Sequence, residues 1–248
     1  MSMNLNELLD LAKMSAIASG NFLIENKSVL NEEISNIGRD IKLAADIETE
    51  LLIRDLLSKS KIPILGEEGQ DNIEDFGSRY WVVDPLDGTA NFNRGIPICC
   101  VSIALIDNNK PILGVINDFN NGELYYGSIQ TPSMVNNELL KISNITHANN
   151  GTLMTGLPAN TDYSNNGMKQ LIEKFQKWKK IRMIGSAAIA SMYVASGKAE
   201  MYAESGTNMW DVAAGIAIVE AAGGKAIITN HKPNHSLDIE ISNGKFNT

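Results

Sequence analysis

The sequence predicts a mixed α/β protein, α+β in its first half and α/β in its second, on three observations. Leu5, Leu8, Leu9, Leu11, Ala12, Ala16 and Ile17 recur with helical spacing, which predicts a long helix over residues 4–25. Apolar, β-branched runs broken by short polar turns predict an antiparallel meander over residues 100–128. Beyond Gly151, short apolar runs alternate with helical patterns, the signature of a layered sheet–helix unit. The polar, Asn-rich stretch Ser143 to Gly151 separates the two patterns. It divides the chain into residues 1–145 and 146–248.

After the first helix, Ile47, Leu51, Leu52, Leu56 and Leu57 form the buried stripe of a second helix over residues 44–59. Ile62 to Leu65 reads as a strand, and so does Tyr80 to Val83, which is short, β-branched and aromatic. Pro85 lacks an N–H and is expected to stop that strand. The meander strands are Cys100 to Ile106, Ile112 to Asp118 and Glu123 to Ser128. Asp107-Asn108-Asn109-Lys110 and Asn120-Asn121-Gly122 supply the turns. In the second half, Thr152 to Thr155, Ile181 to Ile184, Glu200 to Ala203 and Lys225 to Thr229 read as strands. Gly167 to Lys179, Ser186 to Ser196 and Asp211 to Ala222 read as helices, the last one stopped by Gly223-Gly224.

Bulk properties narrow the function. A chain of 248 residues with 44% apolar and 20% charged residues buries a substantial core. Its net charge of −8 excludes a general nucleic-acid binder and disfavours an anionic membrane surface. No run approaches the roughly 20 apolar residues of a membrane span. Met1 to Asn26 is amphipathic and does not read as a secretory leader. Cys99 and Cys100 are adjacent in a strand-like run, so their side chains should point to opposite faces and form no disulfide. A cytoplasmic location is expected.

The candidate site begins at Trp81-Val82-Val83-Asp84-Pro85-Leu86-Asp87-Gly88-Thr89. An apolar strand ends in two carboxylates, which repel unless a cation lies between them; oxygen-only ligands favour Mg²⁺ or a similar hard ion. Backbone N–H groups at Gly88 and Thr89, at a turn or helix start, can hold a phosphate. Gly66-Glu67-Glu68 follows another strand. Trp210-Asp211 opens a helix, where Asp211 also reads as a cap. Asp40 and Asp46 precede the second helix, and Gly185-Ser186-Ala187 begins another. His147, His231 and His235 have no zinc spacing.

Together these segments, in this order, resemble the inositol monophosphatase family of Mg²⁺-dependent, lithium-sensitive phosphomonoesterases, from about residue 30 to about residue 244. The resemblance implies a five-layer αβαβα sandwich of the inositol monophosphatase/fructose-1,6-bisphosphatase type. Family members carry a further helix past the segment matching Ile241-Ser242-Asn243. For the site, it implies Glu67, Asp84 and the Leu86 carbonyl around one Mg²⁺, and Asp84, Asp87 and Asp211 around a second, with a third ion near Glu67. Thr89, oriented by Asp46, and Glu67 would be catalytic, while Gly88 and Thr89 hold phosphate. Gly185, Ser186, Ala187 and Glu204 would contact the substrate, with Glu68 and Asp40 auxiliary.

The activity so implied is hydrolysis of a small phosphorylated polyol or sugar by water, inositol monophosphate foremost. Fructose 1,6-bisphosphate, histidinol phosphate and 3′-phosphoadenosine 5′-phosphate are the alternatives within the superfamily. Family precedent also implies a homodimer. Other phosphate chemistries lack their residues. Gly223-Gly224-Lys225 is followed by Ala226, so no P-loop is present. Neither cysteine has an Arg six residues later, and Asp84 and Asp87 lie one residue too far apart for a haloacid-dehalogenase pair. A calcium loop would need oxygen ligands where Leu86 and Gly95 stand. A silent metal-binding scaffold should have lost a ligand, whereas Glu67, Asp84, Asp87, Asp211 and Asp46 are all present.

Overall fold

The computed structural model describes residues 3–37, 40–69, 76–158 and 161–246. Helix α1 (Leu5–Glu25) starts at a reciprocal cap: Asn4 Oδ1 accepts from the Asn6 and Glu7 amides at 3.0 Å, and the Glu7 carboxylate accepts from the Asn4 amide at 2.7 Å. A short helix α2 (Lys27–Leu30) and a hairpin of β1 (Glu33–Ile37) and β2 (Asp40–Leu43) lead into α3 (Ala44–Leu57). Next come β3 (Ile64–Gly66), β4 (Arg79–Asp87), the short helix α4 (Thr89–Arg94), β5 (Cys100–Asp107), β6 (Lys110–Asp118), β7 (Glu123–Ser128), β8 (Met134–Val135) and β9 (Glu138–Leu139). They form a seven-stranded sheet in sequential order, antiparallel except for the β3–β4 pair.

The second half contains β10 (Thr152–Thr155), α5 (Asn165–Phe175), β11 (Lys180–Met183), α6 (Ala187–Ala195), β12 (Met201–Asn208), α7 (Met209–Ala221), β13 (Lys225–Thr229) and β14 (Ser236–Ser242). Its five-stranded sheet runs β11-β10-β12-β14-β13. Helices α1 and α3 cover one face of the larger sheet, and α6 and α7 fill the space between the sheets. On the outer face of the smaller sheet, α5 is tied to β14 by Lys174 and Glu240. The result is the layered αβαβα arrangement.

Alternation along the strands builds two cores. Trp81, Val83, Val101, Ile103 and Leu105 face α1 and α3, while Val82, Cys100, Ala104 and Ile106 face α6 and α7. Cys99 and Cys100 fall in different cores and are free, as their adjacency predicts. Helix α7 sits so close to β6 that a Cβ on Gly114 would lie 2.3 Å from the Ala214 carbonyl oxygen, so that position excludes any side chain.

Several sequence expectations need correction. Strand β4 does not stop at Pro85 but runs on to Asp87, with an irregular register against β5 between Asp84 and Asp87. A proline is tolerated at such an irregularity because the missing N–H costs no ladder bond there. The last helix begins at Met209, with Asn208 as its cap, so Asp211 is inside the first turn. The helix expected over residues 167–179 starts instead at Asn165, capped by Ser164, and ends at Phe175. Strand β12 runs past Ala203 to Asn208. The β1–β2 hairpin, α2, α4, β8, β9 and β14 were not legible as elements.

Candidate active site

The irregular end of β4 delivers Asp84 and Asp87 to the rim of the seven-stranded sheet, almost fully buried. Asp84 turns back on the chain and accepts the Leu86 amide at 3.0 Å. Gly88 follows with φ of 91°, a left-handed conformation that glycine adopts without strain. A Cβ there would also lie 2.8 Å from the Ile98 carbonyl oxygen. This turn starts α4 at Thr89. The Thr89 hydroxyl shares its proton between Asp46 Oδ1 at 2.9 Å and the Leu86 carbonyl at 3.0 Å. Asp46 is fixed in turn by the Leu43 amide, which donates to its other oxygen at 2.6 Å. Burial pushes the Asp46 carboxyl up to about 7, with the Leu43 and Thr89 donors opposing.

Glu67 follows β3, and its amide donates to the Val83 carbonyl at 3.2 Å, one residue before Asp84. Its side chain stays in contact with solvent through the cavity. Enclosure by the walls, then repulsion from Asp211, Glu68 and Asp46, raise its carboxyl well above the usual range. Glu68 stands on the wall of the same cavity, ion-paired with Lys42. Asp40 opens β2, and its side chain lies outside the described residues.

The second half closes the site. Asp87 reaches the start of α6: the Ser186 hydroxyl donates to it, as do the Ala188 amide at 2.8 Å and the Ala187 amide at 3.3 Å. Burial raises the Asp87 carboxyl, and these donors pull it back. Ser186 also caps α6 by accepting the Ile189 amide at 3.2 Å. Gly185 precedes it with φ of 73°. Asp211 accepts the Thr207 hydroxyl and the Asn208 amide, both at 2.7 Å. Burial and the neighbouring Asp87 push its carboxyl up to about 7. Glu204, on β12, is pushed up to about 8 by burial and then by Asp211.

These groups line one cavity of about 630 Å³, with Glu67, Asp87, Gly88, Thr89, Gly185, Ser186, Ala187, Glu204 and Asp211 on its walls. Asp84 stands behind them, repelled by Glu67, Asp87 and Asp211. A separate groove of about 410 Å³ beside α7 contains Glu220 and none of these acids. Among the described residues, no three such side chains are drawn into a single ready-made coordination sphere. The donor chemistry nonetheless fits a hard divalent cation. The donors are all oxygens, the carboxylates repel one another, and the one basic side chain described on the wall, Lys42, is engaged by Glu68.

A sequence model of the inositol monophosphatase family matches residues 4–245. The chain belongs to the inositol monophosphatase family. Its members are phosphatases that act on small phosphorylated substrates and are generally Mg²⁺-dependent. A Nus factor SuhB from Xylella fastidiosa is 40% identical over 162 residues, which is 65% of this chain and 58% of that protein. A fructose-1,6-bisphosphatase/inositol-1-monophosphatase from Aquifex aeolicus is 30% identical, covering 96% of each chain. Among solved structures, the inositol monophosphatase from Anabaena superposes with a TM-score of 0.83 at 29% identity, covering 98% of this chain and 92% of that one.

Four further residues lie on or around the site and belong to no motif read in the sequence. Asn91 Nδ2 donates to the Ile98 and Ile184 carbonyls, both at 2.8 Å, and so stitches α4 to the loop before α6. Lys42 neutralises Glu68. Tyr202 lines the cavity with a buried hydroxyl beside Glu204. Its spacing of two from Glu204 on a strand is a signal that could have found it. Glu50 lies beneath the Glu67 turn, and no local pattern announces it.

Proposed function

We propose that this chain is a Mg²⁺-dependent phosphomonoesterase that hydrolyses a small polyol or sugar phosphate, inositol monophosphate foremost. The observation that carries this reading is the meeting of Glu67, Asp87, Asp211 and Thr89, the last backed by the buried Asp46, on one cavity of about 630 Å³ that Glu204 also lines. Glu67, Asp84 and the Leu86 carbonyl would hold one cation, and Asp84, Asp87 and Asp211 another. When bound, such ions supply positive charge for the phosphate and acidify water.

The chain's own residues do the rest. Because the Thr89 proton is committed to Asp46 and Leu86, the lone pairs of Oγ1 are free to accept a hydrogen bond from the attacking water and hold it in line. The Gly88 and Thr89 amides would bind phosphate oxygens. Glu204 would accept hydrogen bonds from hydroxyls of the leaving alcohol, with Gly185, Ser186 and Ala187 beside it. Asp87, which accepts from the start of α6 across the cavity, and Asp211, which accepts from the start of its own helix α7, stay ordered without substrate.

The dual name of the Aquifex aeolicus relative favours fructose 1,6-bisphosphate as the second substrate. The test is phosphate release from inositol monophosphate, fructose 1,6-bisphosphate, histidinol phosphate and 3′-phosphoadenosine 5′-phosphate, with Mg²⁺, with EDTA and with added Li⁺. Mg²⁺-dependent, lithium-inhibited release, fastest from a polyol or sugar phosphate, is expected. A preference for 3′-phosphoadenosine 5′-phosphate over every polyol or sugar phosphate would overturn the substrate class.

A further inference from the structure

Glu50 is a buried carboxylate on α3, 2% exposed, in a position that no site motif covers. Both of its oxygens are occupied by N–H donors. Arg54 Nε donates to Oε1 at 2.8 Å, and the Glu68 amide donates to Oε2 at 2.8 Å. Arg54 also donates to the Ile64 carbonyl on β3 at 3.3 Å. The pair therefore grips the chain on both sides of Glu67. On the other flank, the Glu67 amide is fixed to Val83, beside Asp84.

The glycine at position 66 belongs to the same device. A Cβ there would lie between 2.3 and 2.5 Å from the three carboxyl atoms of Glu50. The Gly66-Glu67-Glu68 backbone thus rests directly on the Glu50 carboxylate, and a side chain at position 66 would lift it off. Such contacts orient a ligand without touching the ion.

We propose that Glu50 is the positioning residue that fixes the Gly66-Glu67-Glu68 turn against α3 and so aims Glu67 at its cation. This rests on reading Glu67 as a cation ligand. A glutamine at position 50 keeps the shape but offers one acceptor for two donors, so either Arg54 or the Glu68 amide loses its bond.

The test is calorimetric titration of Mg²⁺ into the wild-type chain, Glu50→Gln and the milder Arg54→Lys, together with activity at rising Mg²⁺. Expected for Glu50→Gln is Mg²⁺ binding about 10–100-fold weaker, the range seen when outer-shell partners of a metal ligand are removed. Its kcat at saturating Mg²⁺ should stay within a few-fold of wild type, a split that a general loss of packing would not give. Arg54→Lys should shift Mg²⁺ affinity in the same direction by less. Wild-type affinity in Glu50→Gln, or in Arg54→Lys should the first variant not fold, overturns the positioning role alone. A wild-type chain that binds no Mg²⁺ overturns the cation reading beneath it.

Discussion

The cavity wall from the seven-stranded sheet and the wall from the five-stranded sheet carry similar atoms, carboxylates and helix starts, on different supports. Asp84 and Asp87 end a strand that is buried from Trp81 onward, with helices on both faces of its sheet. Asp46, Thr89 and Leu86 interlock behind them through bonds of 2.6–3.0 Å. The opposite wall hangs from a sheet whose outer strands, β11 and β13, are largely exposed. Its Glu204 stands on β12 just before the register against β14 shifts, between Ser205 and Thr207. Rigid support on one side suits chemistry that tolerates no misplacement, and a looser edge suits discrimination among leaving groups. Asp211 is the exception, a carboxylate of the second wall aimed at the acids of the first.

Asp87→Asn should break this division hardest. It keeps the shape but removes the charge that the acids share, so kcat should fall about 10³-fold, the several kcal/mol that metal catalysis supplies. Thermal melting near the wild-type value would show that the fold survives. Thr89→Val should lower kcat by about 10²-fold, within the range for a group that handles a proton, while Thr89→Ser retains most activity. On the other wall, Glu204→Gln should leave kcat on the best substrate nearly intact. It should change KM about tenfold across the polyol phosphates and reorder them, which steady-state kinetics on the panel reads directly. Equal kcat losses from Thr89→Val and Glu204→Gln would erase the division.

The smallest effect is on stability. Asp46 and Asp211 titrate near 7 in the fold, against about 3.9 for an unfolded Asp. The folded chain holds extra protons between those values, so their contribution is present below about pH 4 and is lost as pH rises through about 7. In EDTA the melting temperature should therefore fall between pH 5 and pH 8, and Mg²⁺ should restore it. A melting temperature in EDTA that rises over this range would contradict the buried, mutually repelling acids.

Much of the first wall was legible because its signals are local. The turn from Asp84 to Thr89 packs carboxylates, glycine and hydroxyl into a few residues. Helical spacing and alternation gave α1, α3 and the meander, since each rests on the periodicity of one segment. The rest depends on contacts between distant residues. Nothing near Asp87 says that it will meet Ser186, Ala187 and Ala188. Nothing near Glu50 says that it will carry the turn at Glu68. Pro85 misled because its usual effect on a strand was decided here by the shifted register beside β5. Strand β14 alternates Leu237, Ile239 and Ile241 toward α6 and α7, yet its polar partners between them and the turn before it read as loop.

The most direct test is phosphate release from inositol monophosphate as a function of Mg²⁺, run side by side for wild type, Asp87→Asn and Glu204→Gln. Expected are Mg²⁺-dependent turnover by wild type and Glu204→Gln, abolished by EDTA, and a flat, near-zero response from Asp87→Asn. Release by wild type that persists in EDTA, or turnover by Asp87→Asn within tenfold of wild type, would contradict the assignment of the chemistry to the acids at the end of β4.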